Sequence, residues 1–270
     1  MGVGDALMAS GEVRVKRKKK PDHKFLIGDG LRWYWNEVFD HNPFIIKGTE
    51  INKHKDICWI NNYEGNRPYR KYGNDLPKDN YNWNENFKPK RGEIFFSEKE
   101  NRLAEFAISN VRKKIGKKKL IFIEPHVKKR LGYQNRDWGI NKWQDVVLKL
   151  KKYFEFIQIT YGNNRLLEGC INIHDLNFRS SVAILSKCDL FLGTEGGMHH
   201  AAAATKKKGV VIFGGHISPK ITGYDSHNNI YVDLKESPCG SKNICNHCKK
   251  CMDNISSEMI IKEIKKVFKV

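Results

Sequence analysis

The chain is 270 residues long, enough for one large domain or two modest α/β domains, each with its own core. Hydrophobic residues make up 40% and aromatics 11%, which excludes a disordered chain, and no run approaches the ~18 consecutive apolar residues of a membrane-spanning helix. Lys and Arg number 49 against 30 Asp and Glu, a formal net charge of +19.

The opening GVGDALMAS puts an apolar run ahead of the basic VKRKKK and carries no cleavage-site pattern, so it does not read as a secretory signal. The expected compartment is the cytoplasm. Residues 6–18 suit a helix and KFLIGD (24–29) a short strand. The aromatic stretch 31–40, with Trp33, Tyr34, Trp35 and Phe39, reads as a helix with one buried face, and DICWI (56–60) as a buried strand. Residues 61–92, rich in Asn, Tyr, Pro, Gly and Lys, follow no period and predict a long loop or lid.

The texture changes near residue 97. Residues 98–114 predict an amphipathic helix with Leu103, Phe106, Ala107 and Val111 on one face. Strands are then expected at 119–125, 154–160, 189–194, 209–214 and 230–234, with helices at 141–153, 178–187 and from about 197. Continuous apolar strands alternating with helices indicate a parallel sheet covered on both faces. A last helix is expected over 256–268, with Ser256 as its N-cap and Glu258 in its first turn. The division that follows is a small N-terminal part (1–95), a linking helix (96–118), a Rossmann-like domain (119–255) and a C-terminal helix (256–270).

The basic excess admits a polyanionic partner: nucleic acid, an anionic membrane or an anionic glycolipid. The basic runs at 16–20, 112–119, 128–130, 149–152, 206–208 and 262–269 are spread over many elements and are not interleaved with aromatics on one of them. That pattern makes a nucleic-acid partner the weaker reading. It fits attraction of phosphorylated substrates, with peripheral contact at the inner face of an anionic membrane as a further expectation. Among the cysteines, Cys58, Cys170 and Cys188 stand alone and read as buried free thiols. Cys239, Cys245, Cys248 and Cys251 form a C-x5-C-x2-C-x2-C cluster with His247 as a fifth candidate ligand. Such a group suits one structural Zn²⁺ or a set of reduced thiols, and both readings stand.

The segment DLFLGTEGGMHHAAAAT (189–205) is a buried strand, a two-glycine turn and an alanine-rich helix. Ligands of doubly wound sheets sit at the carboxyl ends of strands, where a glycine turn and the free amides of a helix N-terminus receive an anion. Glu195 and the pair His199–His200 add polar chemistry at that turn.

This run, followed by GVVIFG, resembles the glycosyltransferase family 9 motif of the bacterial lipopolysaccharide heptosyltransferases. The resemblance puts Glu195 in place of the usual Asp, makes Gly196 and Gly197 the diphosphate-binding turn with Met198 beside them, and makes His200 the motif histidine. GVGDALMAS resembles the family's Gly-Asp loop, which implies Asp5 as general base. NRDWGINKW resembles its basic-x-Trp-x4-Trp segment, which implies Arg136 as the cation on the donor phosphates, with Lys128 and Lys129 as competitors. Tyr161, Gly162 and Leu176 are candidates for the nucleotide pocket by position. The family places a strand ahead of the Gly-Asp loop, where this sequence has Met1.

The resemblance implies a GT-B-like fold of two Rossmann-like domains, the N-terminal one reduced, with a last helix that crosses back to the first domain. It also implies an inverting enzyme that needs no cofactor for catalysis. Such an enzyme moves a sugar, heptose being the usual one, from a nucleotide-sugar donor to a saccharide or glycolipid acceptor. A non-catalytic nucleotide-sugar binder is the alternative.

Overall fold

In the computed structural model, six strands pair in parallel into one sheet, as continuous apolar runs require when both faces are to be covered. The structure describes residues 1–61, 67–70, 78–128, 132–162 and 164–270, and the Arg70 side chain falls outside that description. Of the non-periodic segment 61–92, residues 62–66 and 71–77 therefore lie outside the described residues, as do Lys129 and Arg130.

In chain order the elements are α1 (Val3–Lys16), β1 (Lys24–Gly28), β2 (Ile57–Asn61), β3 (Tyr69–Arg70), β4 (Asn82–Trp83), α2 (Glu98–Ile115) and β5 (Lys119–Glu124). They continue with α3 (Ile140–Leu150), β6 (Phe154–Thr160), β7 (Cys170–His174), α4 (Phe178–Lys187), β8 (Leu190–Thr194) and α5 (Gly197–Ala204). The chain closes with β9 (Gly209–Phe213), α6 (Pro219–Thr222), β10 (His227–Tyr231), α7 (Asn246–Asp253) and α8 (Ser257–Phe268).

The large sheet runs β10-β9-β8-β5-β6-β7. The chain moves outward from β5 to β7, then returns to the other side of β5 with β8. This is the strand order of a dinucleotide-binding Rossmann sheet, and its switch point lies between β5 and β8. Glu124 ends β5 and pairs in register with Gly193, so Glu124 and the turn after Thr194 emerge side by side at that point. The N-terminal part holds a two-stranded parallel sheet, β1-β2, and the short antiparallel pair β3-β4.

Alternation along the strands divides the interior into two layers. Leu120, Phe122, Ile157, Ile159, Phe191 and Phe213 face one core, which continues into the N-terminal part through Leu7, Phe25, Ile27 and Phe39. Ile121, Ile123, Phe156, Leu190, Leu192 and Ile212 face the other, covered by α3 and α8. Each such fully buried side chain contributes roughly 1.5–3 kcal/mol relative to exposure. Arg179 of α4 joins the two parts with charge. The residue is 4% exposed, and its guanidinium donates to the Glu100 carboxylate at 2.7 and 2.9 Å and to the carbonyls of Glu37 and Phe95 at 2.9 and 2.5 Å.

Several expectations change. Residues 31–35 are not helical, and only Glu37–Phe39 form a 3-10 turn. Asp29 accepts hydrogen bonds from the amides of Leu31 and Arg32, and Asn36 from that of Val38, so side chains claim the amides a helix would use. On α2 the buried stripe is Ala104, Ile108 and Val111, while Phe106 is 73% exposed. The last strand begins three residues early, at His227, because it is a sheet edge with one paired side and tolerates the polar run HNN. The opposite edge strand, β7, was not expected at all. The final helix does not cross back: Ile260 and Ile264 of α8 pack with Val146 and Leu150 of α3, and Phe268 stacks on Phe154 with ring centroids 4.9 Å apart. Cys188 is buried as expected, whereas Cys58 and Cys170 are half-buried.

The fold also gives the basic runs a common place. Helices before parallel strands run antiparallel to them, so 112–119, 149–152 and 206–208 all close helices or lead into strands at the amino-terminal edge of the sheet. Lysines there complement helix C-termini.

Candidate active site

The turn after β8 places Glu195, Gly196 and the start of α5 at the switch point. The Glu195 amide donates to Ile212 O at 3.0 Å, which ties the turn to β9. The first amides of a helix have no intrahelical acceptor. Those of Gly197 and Met198 have none among the described residues either. Around Gly196 the backbone is open, and a Cβ there would meet nothing within 4 Å. Gly197 differs. A Cβ on it would stand 2.5 Å from Val3 Cγ2, and one on Gly4 would stand 3.0 Å from His200 Cδ2. Gly4 and Gly197 thus let the first turn of α1 rest directly on the first turn of α5. Open space is at Gly196, and Gly197 serves helix contact.

Arg136 and Glu195 form an ion pair, with both side chains less than a tenth exposed. Burial alone would push the Glu195 carboxyl up; the Arg136 guanidinium, helped by His199, outweighs it and holds the acid below its ordinary value. Arg136 also lies over the Tyr133 ring at 4.5 Å. His200 is 2% exposed and shares a hydrogen bond with the Tyr224 hydroxyl at 2.8 Å, and its Nε2 stands 3.8 Å from Glu195 Oε1. Burial, with His227 and Arg136 adding to it, pushes its pKa down to about 3, so His200 is a neutral strut for Glu195. His199 is buried and its Nδ1 sits 3.2 Å from Gly196 O, bracing the turn from beneath.

Asp5 lies in the first turn of α1, since GVGD begins a helix and is not a free loop. It accepts a hydrogen bond from the Tyr69 hydroxyl at 3.0 Å. Tyr69 stacks obliquely on Tyr81, which stacks on Trp83. Burial and then the Tyr133 phenol push the Tyr81 hydroxyl up; Arg136 opposes them and Asp5 adds to the rise. Tyr81 therefore feels both Asp5 and Arg136. The base of the β3-β4 pair is held on α1 by Arg67, whose guanidinium is 1% exposed and binds Glu12 at 2.6 Å.

Further along the carboxyl edge, Tyr161 follows β6 and bonds Ser181 Oγ at 2.7 Å, and the Gly162 amide donates to Asp175 at 3.3 Å. Leu176 packs against the first core layer. Tyr161 and Gly162 follow β6, two strands from β8 and thus roughly 10 Å from Glu195, and Leu176 follows β7, three strands and roughly 14 Å away. Lys128 is exposed on the segment after β5, and no contact with the turn is formed by it among the described residues. Glu124, which sequence reasoning missed, shares the sheet face of Leu120 and Phe122, and burial pushes its carboxyl up to about 8. A carboxylate closing the apolar run KLIFIE was the available signal.

The cysteine cluster lies next to this site, and its membership differs from the sequence expectation. Ligand atoms of Cys239, Cys245, His247 and Cys248 all fall within 4.8 Å of one another. Cys251 Sγ stands outside this group, 3.7 Å from both His247 Nε2 and Ser237 Oγ. Glu195, His199 and His200 also converge, but Arg136 and Tyr224 already take the carboxylate and the His200 Nδ1.

A Rossmann strand order, with a glycine turn and a helix start at its switch point and an N-terminal part packed against them, defines a GT-B-like α/β protein. Residues 92–250 match the model of glycosyltransferase family 9 (heptosyltransferase), and the chain belongs to that family. A lipooligosaccharide heptosyltransferase 2 from Campylobacter jejuni subsp. jejuni is 30% identical over 108 residues, covering 38% of this chain and 34% of that protein. The chain thus spans about a third of the length of this curated relative. A glycosyl transferase family 9 structure from Veillonella parvula DSM 2008 superposes with a TM-score of 0.66 at 15% identity, over 98% of this chain and 94% of the other. The ADP-heptose lps heptosyltransferase II of E. coli does so with a TM-score of 0.50 at 13% identity, over 96% and 80%. Among the described residues, no helix is long and apolar enough to cross a membrane.

Proposed function

We propose that the chain transfers a sugar, with heptose the first candidate, from a nucleoside-diphosphate donor to a saccharide or glycolipid acceptor in cell-surface polysaccharide synthesis. One observation carries this reading: α1, which bears the Asp5 carboxylate, rests on α5, and the open N-terminus of α5 follows Glu195, the ion-pair partner of Arg136. Asp5 removes the proton from the acceptor hydroxyl as that oxygen attacks the anomeric carbon. The bond from that carbon to the diphosphate oxygen breaks, and attack from the opposite side inverts the centre. Charge growing on the diphosphate is received by Arg136 and the first amides of α5. Glu195, fixed by Arg136 and His200, accepts from the sugar hydroxyls, and Tyr161, Gly162 and Leu176 flank the nucleotide.

The names of two relatives, an ADP-heptose enzyme and a lipooligosaccharide heptosyltransferase, supply the first substrates to test. Purified protein with ADP-heptose and delipidated lipooligosaccharide core is expected to release ADP and add one heptose mass to the core. ADP binding without turnover would support the non-catalytic binder, and absence of ADP binding would remove the reading altogether.

Glu124 gives this site a pH dependence. With its pKa raised to about 8, the group is a neutral hydrogen-bond donor at pH 7 and an anion above it. A carboxylate formed beside a diphosphate repels it. ADP affinity is therefore expected to fall as pH rises through about 8, and Glu124→Gln to flatten that fall in a calorimetric titration series. An equally steep fall in the variant would assign the dependence elsewhere.

A further inference from the structure

We propose that Cys239, Cys245, His247 and Cys248 bind one thiophilic metal ion of the zinc type. We further propose that this ion fastens the loop on which both the Tyr81 strand and the Arg136 turn are hung. A tetrahedral site with metal–sulfur bonds of ~2.3 Å has sulfur–sulfur edges of about 3.8 Å. Cys239 and Cys245 stand 3.8 Å apart and Cys239 and Cys248 3.0 Å, so a small inward or outward adjustment seats the ion. The imidazole of His247, at the start of α7, completes three sulfurs to four ligands. Cys248 is fully buried, and its nearest polar neighbour is another cysteine. Cys239, Cys245 and Cys248 thus meet sulfur to sulfur.

The position of the loop assigns the ion its role. Residues 239–245 have no helix or strand of their own, yet neighbouring segments rely on them from two sides. On the acceptor side, the Tyr81 amide donates to Gly240 O at 2.7 Å, the Lys242 amide to Asp79 O at 2.8 Å and Lys242 Nζ to Lys78 O at 2.7 Å. Gly240 lies so close under this strand that a Cβ would stand 2.4 Å from Tyr81 O. On the donor side, Asn135 Nδ2 donates to Ser241 O at 3.0 Å and Asn243 O at 2.7 Å, and the Cys245 amide donates back to Asn135 Oδ1 at 3.0 Å.

Asn135 immediately precedes Arg136, and Tyr81 carries Tyr69, the hydrogen-bond donor to Asp5. An irregular loop holding two functional segments must itself be held, and ligation at 239, 245, 247 and 248 pins it at both ends. The ion takes no part in the chemistry. It sets the distance between acceptor side and donor side.

Metal analysis of the purified full chain tests the first half of the proposal. About one equivalent of zinc or iron per chain is expected, either as isolated or after incubation with Zn²⁺ under reducing conditions. Cys245→Ser with Cys248→Ser is expected to abolish it. Hydrogen exchange tests the second half. In the metal-stripped chain the amides of 78–84 and 132–136 are expected to exchange at least tenfold faster, while those of β6 and β8 keep their protection and show that the sheet is intact. Chelation of the wild-type chain gives the same readout should the double variant fail to fold. No bound metal under either condition, a Cys239–Cys248 disulfide by intact mass, or unchanged exchange at 78–84 and 132–136 on metal removal would each overturn the proposal. None of these measurements needs a sugar acceptor, so they stand apart from the test of sugar transfer.

Discussion

Replacing Asp5 with asparagine is expected to lower turnover of ADP-heptose with its acceptor by ~10²–10⁴-fold, the usual contribution of a general base. ADP affinity is expected to stay at the wild-type value. The substitution is close to isosteric, and the amide oxygen still accepts from the Tyr69 hydroxyl, which lies 3.0 Å from the carboxylate. The structural cost is small, because what α1 loses is a carboxylate in its first turn, worth ~0.3–1 kcal/mol against the helix dipole. What disappears is the ability to hold the acceptor proton. A variant with wild-type turnover would move the base elsewhere. Among the acids near the turn, Glu195 is already committed to Arg136, and Glu124 is protonated near neutrality and a poor base. Lost ADP affinity with proportionate loss of turnover would instead place Asp5 on the donor side.

Much of the large sheet could be read from the sequence, for a physical reason. Strands β5, β6, β8 and β9 are covered on both faces, so burial demands near-continuous apolar runs that stand out against their surroundings. Its two edge strands escape that demand. β7 was missed and β10 misplaced because a half-covered strand may carry Asn and His. The turn proposed for the donor stands out because its residues are contiguous: Glu195, Gly196 and His200 lie within one turn and a helix start.

The rest of the site is assembled from a distance. Tyr69 reaches Asp5 across 64 positions of chain, out of a segment with no hydrophobic period, and Arg136 reaches Glu195 across 59. The resemblance supplied Arg136, and nothing in local spacing supplied Tyr69 or Tyr81. Gly197 illustrates the opposite limit. Its type is right for a phosphate turn, but only packing reveals that Val3 occupies the space beside it.

The Arg136–Glu195 pair yields the second large effect. Arg136→Met removes the cation proposed to receive the diphosphate and leaves a buried carboxylate without its ion-pair partner. Breaking a buried pair from one side costs roughly 3–5 kcal/mol, and the lost charge contact is expected to weaken ADP binding by at least ~30-fold, or about 2 kcal/mol. The pH dependence of stability separates these two consequences. In the wild-type chain Glu195 is held below its ordinary 4.5, so the pair's stabilisation is complete above that value and is lost as pH falls through the depressed pKa.

In Arg136→Met the counter-charge is gone, burial pushes the same acid up, and stability is instead lost as pH rises above about 4.5. Glu124, raised to about 8, makes stability fall with pH in both chains, so melting temperatures from pH 4 to 8 should fall more steeply in the variant than in the wild type. Glu195→Gln completes the cycle. It frees Arg136 from its competitor, so ADP is expected to bind more tightly, while turnover drops because a carboxylate acceptor for the sugar hydroxyls is lost. Pairing it with Arg136→Met should restore stability without restoring ADP binding, the non-additivity that contacting residues show. Parallel melting profiles for wild type and Arg136→Met would mean that Glu195 is not charged in the folded chain, and the electrostatic account of this site would fail with it.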